Sequence, residues 1–507
     1  MKRGLFIAAL LTLTSVATAG AESRLTAAVR SGDTKAIRDL LAQHVDVNLP
    51  EADGTTALYW AAQRNDLESA DLLIRAGAHV KAASRYGVTP LALACINGSA
   101  PLIETLLRAG ADPNTAMPEG ETALMTAART GVVAAVQALV AHGADVNAKE
   151  RSRGQTALMW AAGEGHVDTA KTLIASGADL GARSNGGWTA FLFAVREGQR
   201  DMVRALLDSG PSVGDVVNDA VKPPATARRG RGQDGVTANA PSAPPSGPSA
   251  LMLAVASKHY ELAAFLLDRG ADPNAAGQGW TALHAITWMR KPGQGSNRPG
   301  PTGSGNMDSL ELVRRLAARG ANLNARMTRR AQAGTTDFNM IGATPLLMAA
   351  RTADAPLMRL LAELGADPWL TNEDGTTVLM AAAGVGVHSP GEDPGTESEA
   401  FDAIKVALEL GADVNAIDKK GDTAMHGAAY KQFPSIAQYL VDHGAAIDIW
   451  NTKNQQGWTP LRIAVGVHRG MNFRFSPQTA AVLERVMKAA GVSTVVEPEK
   501  IISGATK

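Results

Sequence analysis

Apolar residues recur along this chain in blocks that repeat at a nearly constant interval. Each block opens with a Thr or Ser, which is followed by Ala, Pro or Val and then by an apolar residue. The first five openers follow one another at intervals of 33, 33, 34 and 33 residues. A fixed period of this length predicts a stack of similar repeats. The openers are Thr56, Thr89, Thr122, Thr156, Thr189, Ser249, Thr281, Thr344, Thr377, Thr423 and Thr459.

Each block predicts two helices. A short run of small and apolar residues such as Ala57–Ala62 indicates a first helix, and a more amphipathic segment such as Val167–Ala175 indicates a second. The repeats then close on Gly-Ala-Asp or a near relative, as at Gly143–Asp145. A glycine there suits the left-handed turn that follows a helix C-terminus. The pattern therefore predicts an all-α repeat solenoid built from helix-turn-helix units.

Three motifs carry a resemblance to a known family. They are Thr-Ala-Leu-Met-x-Ala-Ala at Thr156–Ala162, Gly-His-Val-Asp-x-Ala at Gly165–Ala170, and Gly-Ala-Asp-Val-Asn-Ala at Gly143–Ala148. In these motifs the chain resembles the ankyrin-repeat family. The resemblance implies about twelve helix pairs with short β-hairpin fingers, and a concave side and fingertips that bind other proteins. The chain departs from the family at the usual His of the first helix, which remains only at His284 and His426.

The spacing also predicts the domain organisation. We expect N-terminal ankyrin repeats over 22–218, a Pro/Gly/Ser-rich insertion over 219–249, C-terminal repeats with long loop insertions over 250–491, and a tail over 492–507. The 219–249 insertion holds too little apolar surface to form a core. The loops of the second half are either spacers or functional surface. Whether they are ordered, and whether the two halves hinge, stays open.

Residues 1–21 have the pattern of a secretory signal peptide. They begin with two basic residues, continue with a short apolar run and end in small residues, so cleavage is expected after Ala19 or Ala21. The apolar run is shorter than the roughly 20 residues that cross a bilayer. The one cysteine, Cys95, lies far from this run, which excludes a lipid anchor on a cysteine next to it. We expect a bacterial protein, periplasmic or secreted, with no membrane anchor after cleavage.

Charge and motifs exclude several function classes. The 49 basic and 49 acidic residues cancel, so we expect no nucleic-acid partner. The sequence holds none of the common nucleotide-binding, hydrolase or zinc motifs, and its ten histidines are spread singly. The recurring Asp after Gly-Ala is typical of a turn residue. We therefore predict no enzyme activity, no cofactor and no metal.

The residue just before each opening Thr is the best candidate for partner contact. This fingertip position varies freely and holds three Trp, a residue type enriched at interface hot spots. A Trp there can equally pack on the adjacent finger, so both interpretations stay open. The ends of the first helices supply a neighbouring concave surface of mixed charge. The predicted partner-binding residues are Trp188, Trp280, Trp458, Arg64, Glu121, Arg129, Gln155, Glu164, Arg196, Lys258, Arg351 and Lys431.

These observations favour a non-enzymatic protein-protein interaction scaffold, monomeric on its own, that binds another protein. One alternative is a secreted effector or immunity-type protein that binds a foreign polypeptide. Another is an enzyme whose site is built from the insertions at 222–249 or 291–341, although these segments offer little rigid support for catalytic groups. The partner, its stoichiometry and the biological process cannot be predicted from the sequence.

Overall fold

The structure is a computed structural model that describes residues 24–216, 247–291, 303–331, 337–387, 394–469 and 472–496. The predicted signal peptide and nearly all of the predicted 219–249 insertion lie outside the described residues. The chain divides into two compact units, Met1–Pro245 and Ser246–Lys507, called here the N-terminal and C-terminal units.

The described part of the N-terminal unit holds six helix pairs. They are helical residues 24–31 (α1) with α2 (Thr34–Ala42), α3 (Ala57–Gln63) with α4 (Leu67–Arg75), α5 (Pro90–Ile96) with α6 (Ala100–Arg108), α7 (Ala123–Thr130) with α8 (Val133–Ala141), α9 (Ala157–Glu164) with α10 (Val167–Ala175), and α11 (Ala190–Arg196) with α12 (Arg200–Ser209).

Six more pairs form the described part of the C-terminal unit. They are α13 (Ala250–Ala256) with α14 (Tyr260–Asp268), α15 (Ala282–Arg290) with α16 (Ser309–Ala318), α17 (Pro345–Arg351) with α18 (Ala355–Glu363), α19 (Val378–Ala383) with α20 (Glu397–Glu409), α21 (Ala424–Lys431) with α22 (Pro434–Asp442), and α24 (Pro460–Val465) with α25 (Pro477–Ala489). A single turn, α23 (Ile447–Trp450), follows α22. The fold is thus an all-α repeat solenoid, as the sequence predicted.

Most first helices begin at an opening Thr or Ser whose side chain caps the helix. The Thr56 hydroxyl, for example, accepts the backbone N–H of Tyr59 at 3.3 Å. At His284 and His426 the ring Nδ1 accepts the backbone N–H of the opening Thr at 3.2 Å. Methionine sulfur does the same elsewhere: Met125 Sδ lies 3.4 Å from the Thr122 nitrogen, and Met159 and Met380 repeat the contact at 3.5 Å.

Small residues in the first helices let neighbouring repeats pack closely. Ala61, Ala94 and Ala127 are fully buried, and leucines such as Leu106 from the second helices complete the core. Cys95 takes one of these small-residue positions and is also fully buried. Burial raises the pKa of its thiol to about 12, so the thiol stays protonated and unreactive at neutral pH.

An asparagine after the closing Gly-Ala-Asp links one repeat to the next. Asn114 Nδ2 donates to the carbonyl of Gly143 at 2.9 Å, and its Oδ1 accepts the backbone N–H of Asp145 at 2.7 Å. Asn48, Asn147, Asn274 and Asn415 make the same pair of bonds. Trp369 stands at this position in another repeat and leaves 63% of its side chain exposed.

The fingers are tight turns. In one finger Ser84 N–H donates to the Val88 carbonyl at 3.0 Å, and Arg85 N–H reaches the Asp53 carbonyl of the preceding finger at 2.8 Å. The one two-stranded sheet in the described residues is β1 (Val467–Arg469) paired antiparallel with β2 (Asn472–Arg474), between α24 and α25. No helix in the described ranges combines the length and apolar character of a membrane span.

Candidate protein-binding surface

Three clusters of one Trp, one Arg and one Glu recur in the N-terminal unit. The first joins the end of one first helix to the finger and first helix of the next repeat, the second joins a finger and the end of its first helix to the first helix of the next repeat, and the third lies within one repeat. The clusters are Trp60–Arg30–Glu51, Trp160–Arg129–Glu121 and Trp188–Arg196–Glu197. We call them the Trp–Arg–Glu clusters.

The first cluster joins two repeats. The Arg30 guanidinium carbon lies 4.0 Å from the ring centroid of Trp60, and the Trp60 indole N–H donates to Glu51 Oε2 at 2.9 Å. Arg30 forms an ion pair with the same Glu51 oxygen. The predicted residue Arg64 lies alongside, since it donates to the Arg30 carbonyl at 2.8 Å. Ring, guanidinium and carboxylate therefore hold one another in place.

The second cluster has the same composition. Arg129 lies 5.2 Å from the Trp160 ring centroid and 3.6 Å from Glu121 Oε1, which also accepts the Thr126 hydroxyl at 2.8 Å. Arg129 and Glu121 were both predicted as site residues, and the structure brings them together. The indole nitrogen of Trp160 is shielded from solvent and has no hydrogen-bond partner among the described residues.

The third cluster is contained in one repeat. Arg196 lies 5.1 Å from the ring centroids of both Trp188 and Phe193, and the two rings are 5.6 Å apart. Arg196 also pairs with Glu197 at 2.7 Å. Trp188 is half-buried, and its ring packs against Phe193 of the first helix that its finger precedes.

The clusters form a rigid, electrically balanced aromatic surface. A guanidinium over an indole at an exposed site contributes about 0.5–1 kcal/mol, and the carboxylate fixes its orientation. Each guanidinium is balanced by one carboxylate, so the clusters add aromatic surface without net charge. Such an arrangement favours contact with another protein surface over attraction of a polyanion.

The remaining predicted residues are divided between the two units. Gln155 is half-buried and Glu164 exposed in the N-terminal unit, while Lys258 is half-buried in the C-terminal unit. Trp280 lies edge-on to Trp288 at 6.1 Å, and Trp458 packs on a small core of Ala429, Tyr430 and Ile463. Packing within the C-terminal unit therefore covers much of the Trp280 and Trp458 side chains.

Two residues that were predicted to lie on the binding surface are buried. Arg351 is 9% and Lys431 4% exposed, so neither is available as a surface contact. The Arg351 guanidinium lies 4.9 Å from the ring centroid of Phe338, a residue of the long finger before α17 that folds back over the repeat. The Lys431 ammonium lies 5.7 Å from the Phe433 ring centroid. The long finger thus covers at Arg351 a helix end that is exposed at Arg129 in a regular repeat, whereas Lys431 lies beside Phe433 of its own repeat.

Sequence reasoning missed Trp60, Trp160 and Arg30. Both Trp are the fourth residue after an opening Thr, a position inside the first helix that predicts packing. The signal that could have found them is a spacing: the Arg lies 30 residues before Trp60 and 31 before Trp160, which is nearly one repeat. Equivalent positions one repeat apart lie side by side in a stack.

A small cavity of about 20 Å³, room for about one water molecule, lies among the fingers of the C-terminal unit. Its lining includes the apolar Phe338 and Val385 and the carboxylates of Asp374, Asp418 and Asp422. Burial raises the pKa of the Asp418 carboxyl to about 6, and the nearby Asp422 charge adds to this. Within the described ranges, no group of three or more His, Cys, Asp or Glu is arranged to hold a metal ion.

Comparison with known proteins identifies the family. The family described as ankyrin repeats (3 copies) matches residues 25–117, 98–184, 148–217 and 396–471, which together cover more than half of the chain, and a single ankyrin repeat matches 246–277. Among curated proteins, ankyrin repeat and SOCS box protein 16 of Mus musculus is 33% identical over 122 residues, which is 24% of this chain and 25% of that protein.

Rabankyrin-5 of Homo sapiens is 32% identical over 139 residues, which is 24% of this chain and 11% of that protein. The alignments thus span a quarter or less of the relatives' length. The matched ranges agree with the helix pairs and fingers of the structure, and this chain therefore belongs to the ankyrin-repeat family.

Proposed function

We propose that this chain is a non-enzymatic protein-protein interaction scaffold that binds its partner through fingertips and first-helix residues of the N-terminal unit. Ankyrin repeats typically mediate binding to another protein. The observation that carries the proposal is the recurrence of the Trp–Arg–Glu clusters in one unit. Trp and Arg are the residue types most enriched among interface hot spots.

The repeat itself does not require these aromatic residues. The position of Trp60 and Trp160 is taken by Leu93 and Thr126 in neighbouring repeats of the same unit, where the first helices are equally regular. Their guanidinium and carboxylate neighbours hold the rings in place, so little ordering entropy is lost when a partner binds. A bulky aromatic that the fold does not need, held rigidly in a half-exposed position, is suited to recognition.

The proposed contact set follows from these positions. It keeps the predicted residues of the N-terminal unit, all of them exposed or half-buried, and adds the missed Trp60, Trp160 and Arg30. The set is Trp188, Arg64, Glu121, Arg129, Gln155, Glu164 and Arg196, together with Trp60, Trp160 and Arg30.

The proposed setting is the periplasm of a bacterium, or secretion beyond it. The support is the charge and hydropathy pattern of residues 1–21. Six helix pairs in the described part of each unit support a count of about twelve repeats. We further propose a monomer with no nucleic-acid partner and no membrane anchor after cleavage. A foreign protein as partner, which is the effector or immunity alternative, would use the same surface.

The test is capture of partners from a periplasmic extract with the wild-type chain and with the triple variant W60A/W160A/W188A. W369A is the matched control, because Trp369 is an exposed Trp outside the clusters. We expect a stoichiometric partner, identified by mass spectrometry, that wild type and W369A retain and the triple variant loses. Retention by a folded triple variant would refute the proposed surface. Because three truncations can destabilise the unit, R129A/R196A provides a second, milder test.

A further inference from the structure

One finger of the N-terminal unit is a residue longer than its neighbours. It comprises residues 150–155, and we call it the basic finger. The backbone N–H of Glu150 donates to the Gln155 carbonyl at 3.1 Å, so this bond closes over one residue more than the equivalent bonds of the neighbouring fingers. The added residue explains why the interval from Thr122 to Thr156 is 34 residues, where the adjoining intervals are 33.

A buried carboxylate fixes the backbone of the basic finger. Glu150 is 6% exposed, and its Oε1 accepts the N–H groups of Arg153 at 2.7 Å and Gln155 at 3.1 Å. Its Oε2 accepts the N–H of Ser152 at 2.6 Å. Gly154 supplies the left-handed turn, with a φ of +68°. The loop is therefore ordered before any partner binds, which lowers the entropy cost of binding.

This fixed loop exposes two arginines. Arg151, Ser152 and Arg153 are all exposed, and neither guanidinium forms a hydrogen bond or ion pair with a residue that the structure describes. Ion pairing is the common state in this unit, because eight other arginines of its described part pair with carboxylates. The two guanidiniums of the basic finger therefore keep their donors for a ligand.

The acidic residues beside the basic finger do not take up these donors. Glu150 directs its carboxylate to the backbone, as described above. Glu119 of the preceding finger is exposed, and its carbonyl accepts the Arg151 N–H at 2.9 Å, but its carboxylate lies in no ion pair with a described residue. Glu119 thus lowers the net positive charge of the site and leaves both guanidiniums without a carboxylate partner.

The basic finger adjoins two of the Trp–Arg–Glu clusters. It leads directly into α9, the helix that carries Trp160. The next finger carries Trp188 and is hydrogen-bonded to the basic finger: the Asn185 N–H donates to the Arg153 carbonyl at 2.7 Å, and Asn185 Nδ2 donates to the Ser152 carbonyl at 3.3 Å. A partner that covers these two Trp therefore passes close to the two arginines.

We propose that the basic finger docks an acidic segment of the protein partner, with Asp or Glu carboxylates accepting hydrogen bonds from Arg151 and Arg153. A guanidinium and a carboxylate match in shape and charge, and their hydrogen bonds are charge-assisted. A protein segment fits better than a nucleic acid, because two free arginines beside Glu119 on a chain of zero formal charge give little attraction for a polyanion. The proposal rests on the proposed function and names the chemistry of the partner.

The test uses two blocked peptides as probes. Acetyl-(Glu-Gly-Ser)4-amide and the uncharged acetyl-(Gln-Gly-Ser)4-amide are titrated into the full chain by calorimetry. We expect the Glu peptide to bind at least about tenfold more tightly than the Gln peptide, and R151A/R153A to weaken the Glu peptide about tenfold. Raising the salt concentration from about 0.05 to 0.5 M should weaken Glu-peptide binding to wild type and have little effect on the double variant.

The matched control is R75A/R108A. Arg75 and Arg108 are exposed arginines of the same unit that lie on second helices and are already paired with Asp71 and Glu104. This variant loses the same two positive charges as R151A/R153A, so it reports any effect of net charge alone. We expect its affinity for the Glu peptide to stay within about twofold of wild type.

Equal binding of the two peptides, or no binding of the Glu peptide to wild type, would overturn the proposal. So would unchanged binding in R151A/R153A, an equal loss in R75A/R108A, or a clear preference for a single-stranded oligothymidylate of twelve nucleotides. Both arginines are exposed and unpaired among the described residues, so the double variant should keep the unfolding midpoint of wild type. Partner capture by the Trp–Arg–Glu clusters is measured separately, which distinguishes failure of the basic finger from failure of the scaffold function.

Discussion

At the scale of single residues, one capping role is filled by two kinds of side chain. His284 and His426 accept the N–H of their opening Thr, and Met125, Met159 and Met380 accept it through sulfur. The departure from the family's His therefore preserves the cap and removes a titratable group. Because His284 Nδ1 accepts a hydrogen bond, its Nε2–H donates to the Ala343 carbonyl at 3.1 Å.

The two buried histidines predict that acid lowers the stability of the C-terminal unit. Burial lowers the pKa of His284 and of His426 to about 4 in the folded chain, against an ordinary value of 6.5. The unfolded chain thus takes up protons first, so the stability that the neutral rings contribute is present above pH 6.5 and lost as pH falls toward 4. The loss is roughly 3 kcal/mol per histidine.

The H284M/H426M variant should remove most of this pH dependence, because methionine keeps the cap. Asp418 acts in the opposite direction, since its raised pKa makes the folded state gain stability as pH falls from about 6 toward 4. It is present in both proteins, so their difference isolates the histidines. Urea unfolding at pH 7.5, 5.5 and 4.0 is the measurement, and parallel pH profiles would contradict the prediction.

A second residue-scale prediction concerns the ion pair of Arg290 and Asp354. Asp354 is fully buried, caps α18, and accepts Arg290 Nε at 2.6 Å and Nη2 at 3.1 Å. R290A leaves this carboxylate buried without its cation and should cost about 3–5 kcal/mol. R319A removes the exposed pair with Asp268 and should cost about 1 kcal/mol or less. Unfolding midpoints of both variants test this, and similar small losses would argue against a buried ion pair.

At the scale of elements, helices were predictable and finger contacts were not. The predicted second helix Val167–Ala175 has those bounds in the structure, and the predicted first helix Ala57–Ala62 ends one residue later, at Gln63. Local signals explain this success, because caps and closing glycines act within a few residues. The return of Phe338 over Arg351 depends on packing between segments that no local pattern encodes.

The same distinction holds for the candidate site. Repeat alignment identified the fingertip position of Trp188 and the helix-end position of Arg129, because these are local. It could not show that Arg30 covers a Trp of the next repeat, or that Trp458 packs on its own repeat's core. Which rings are covered depends on side-chain geometry between repeats.

The asparagine links give an element-scale prediction. N114A removes the bonds to Gly143 and Asp145 and leaves a carbonyl and an N–H without their Asn114 partners. Since both groups are exposed to water, we expect a loss of about 1–2 kcal/mol. Q137A, at an exposed position of α8, is the control and should change stability by about 0.5 kcal/mol or less. Equal unfolding midpoints for N114A and wild type would show that the links do not stabilise the stack.

At the scale of the whole molecule, the chain is a set of nearest-neighbour contacts divided between two compact units. In such a stack each repeat is stabilised by its neighbours, and no single core gathers catalytic groups. Function then depends on the surface side chains of successive repeats. The N-terminal unit presents the Trp–Arg–Glu clusters, and the C-terminal unit has a long finger that folds over Arg351.

The central claim is that the Trp–Arg–Glu clusters bind the partner. The most direct measurement is the dissociation constant of the captured partner for wild type, W60A/W160A/W188A and W369A, with unfolding midpoints recorded on the same samples. The dissociation constant of the triple variant should be about thirtyfold or more above that of wild type, while W369A should bind with wild-type affinity. A folded triple variant with wild-type affinity would contradict the claim and move the binding site away from these clusters.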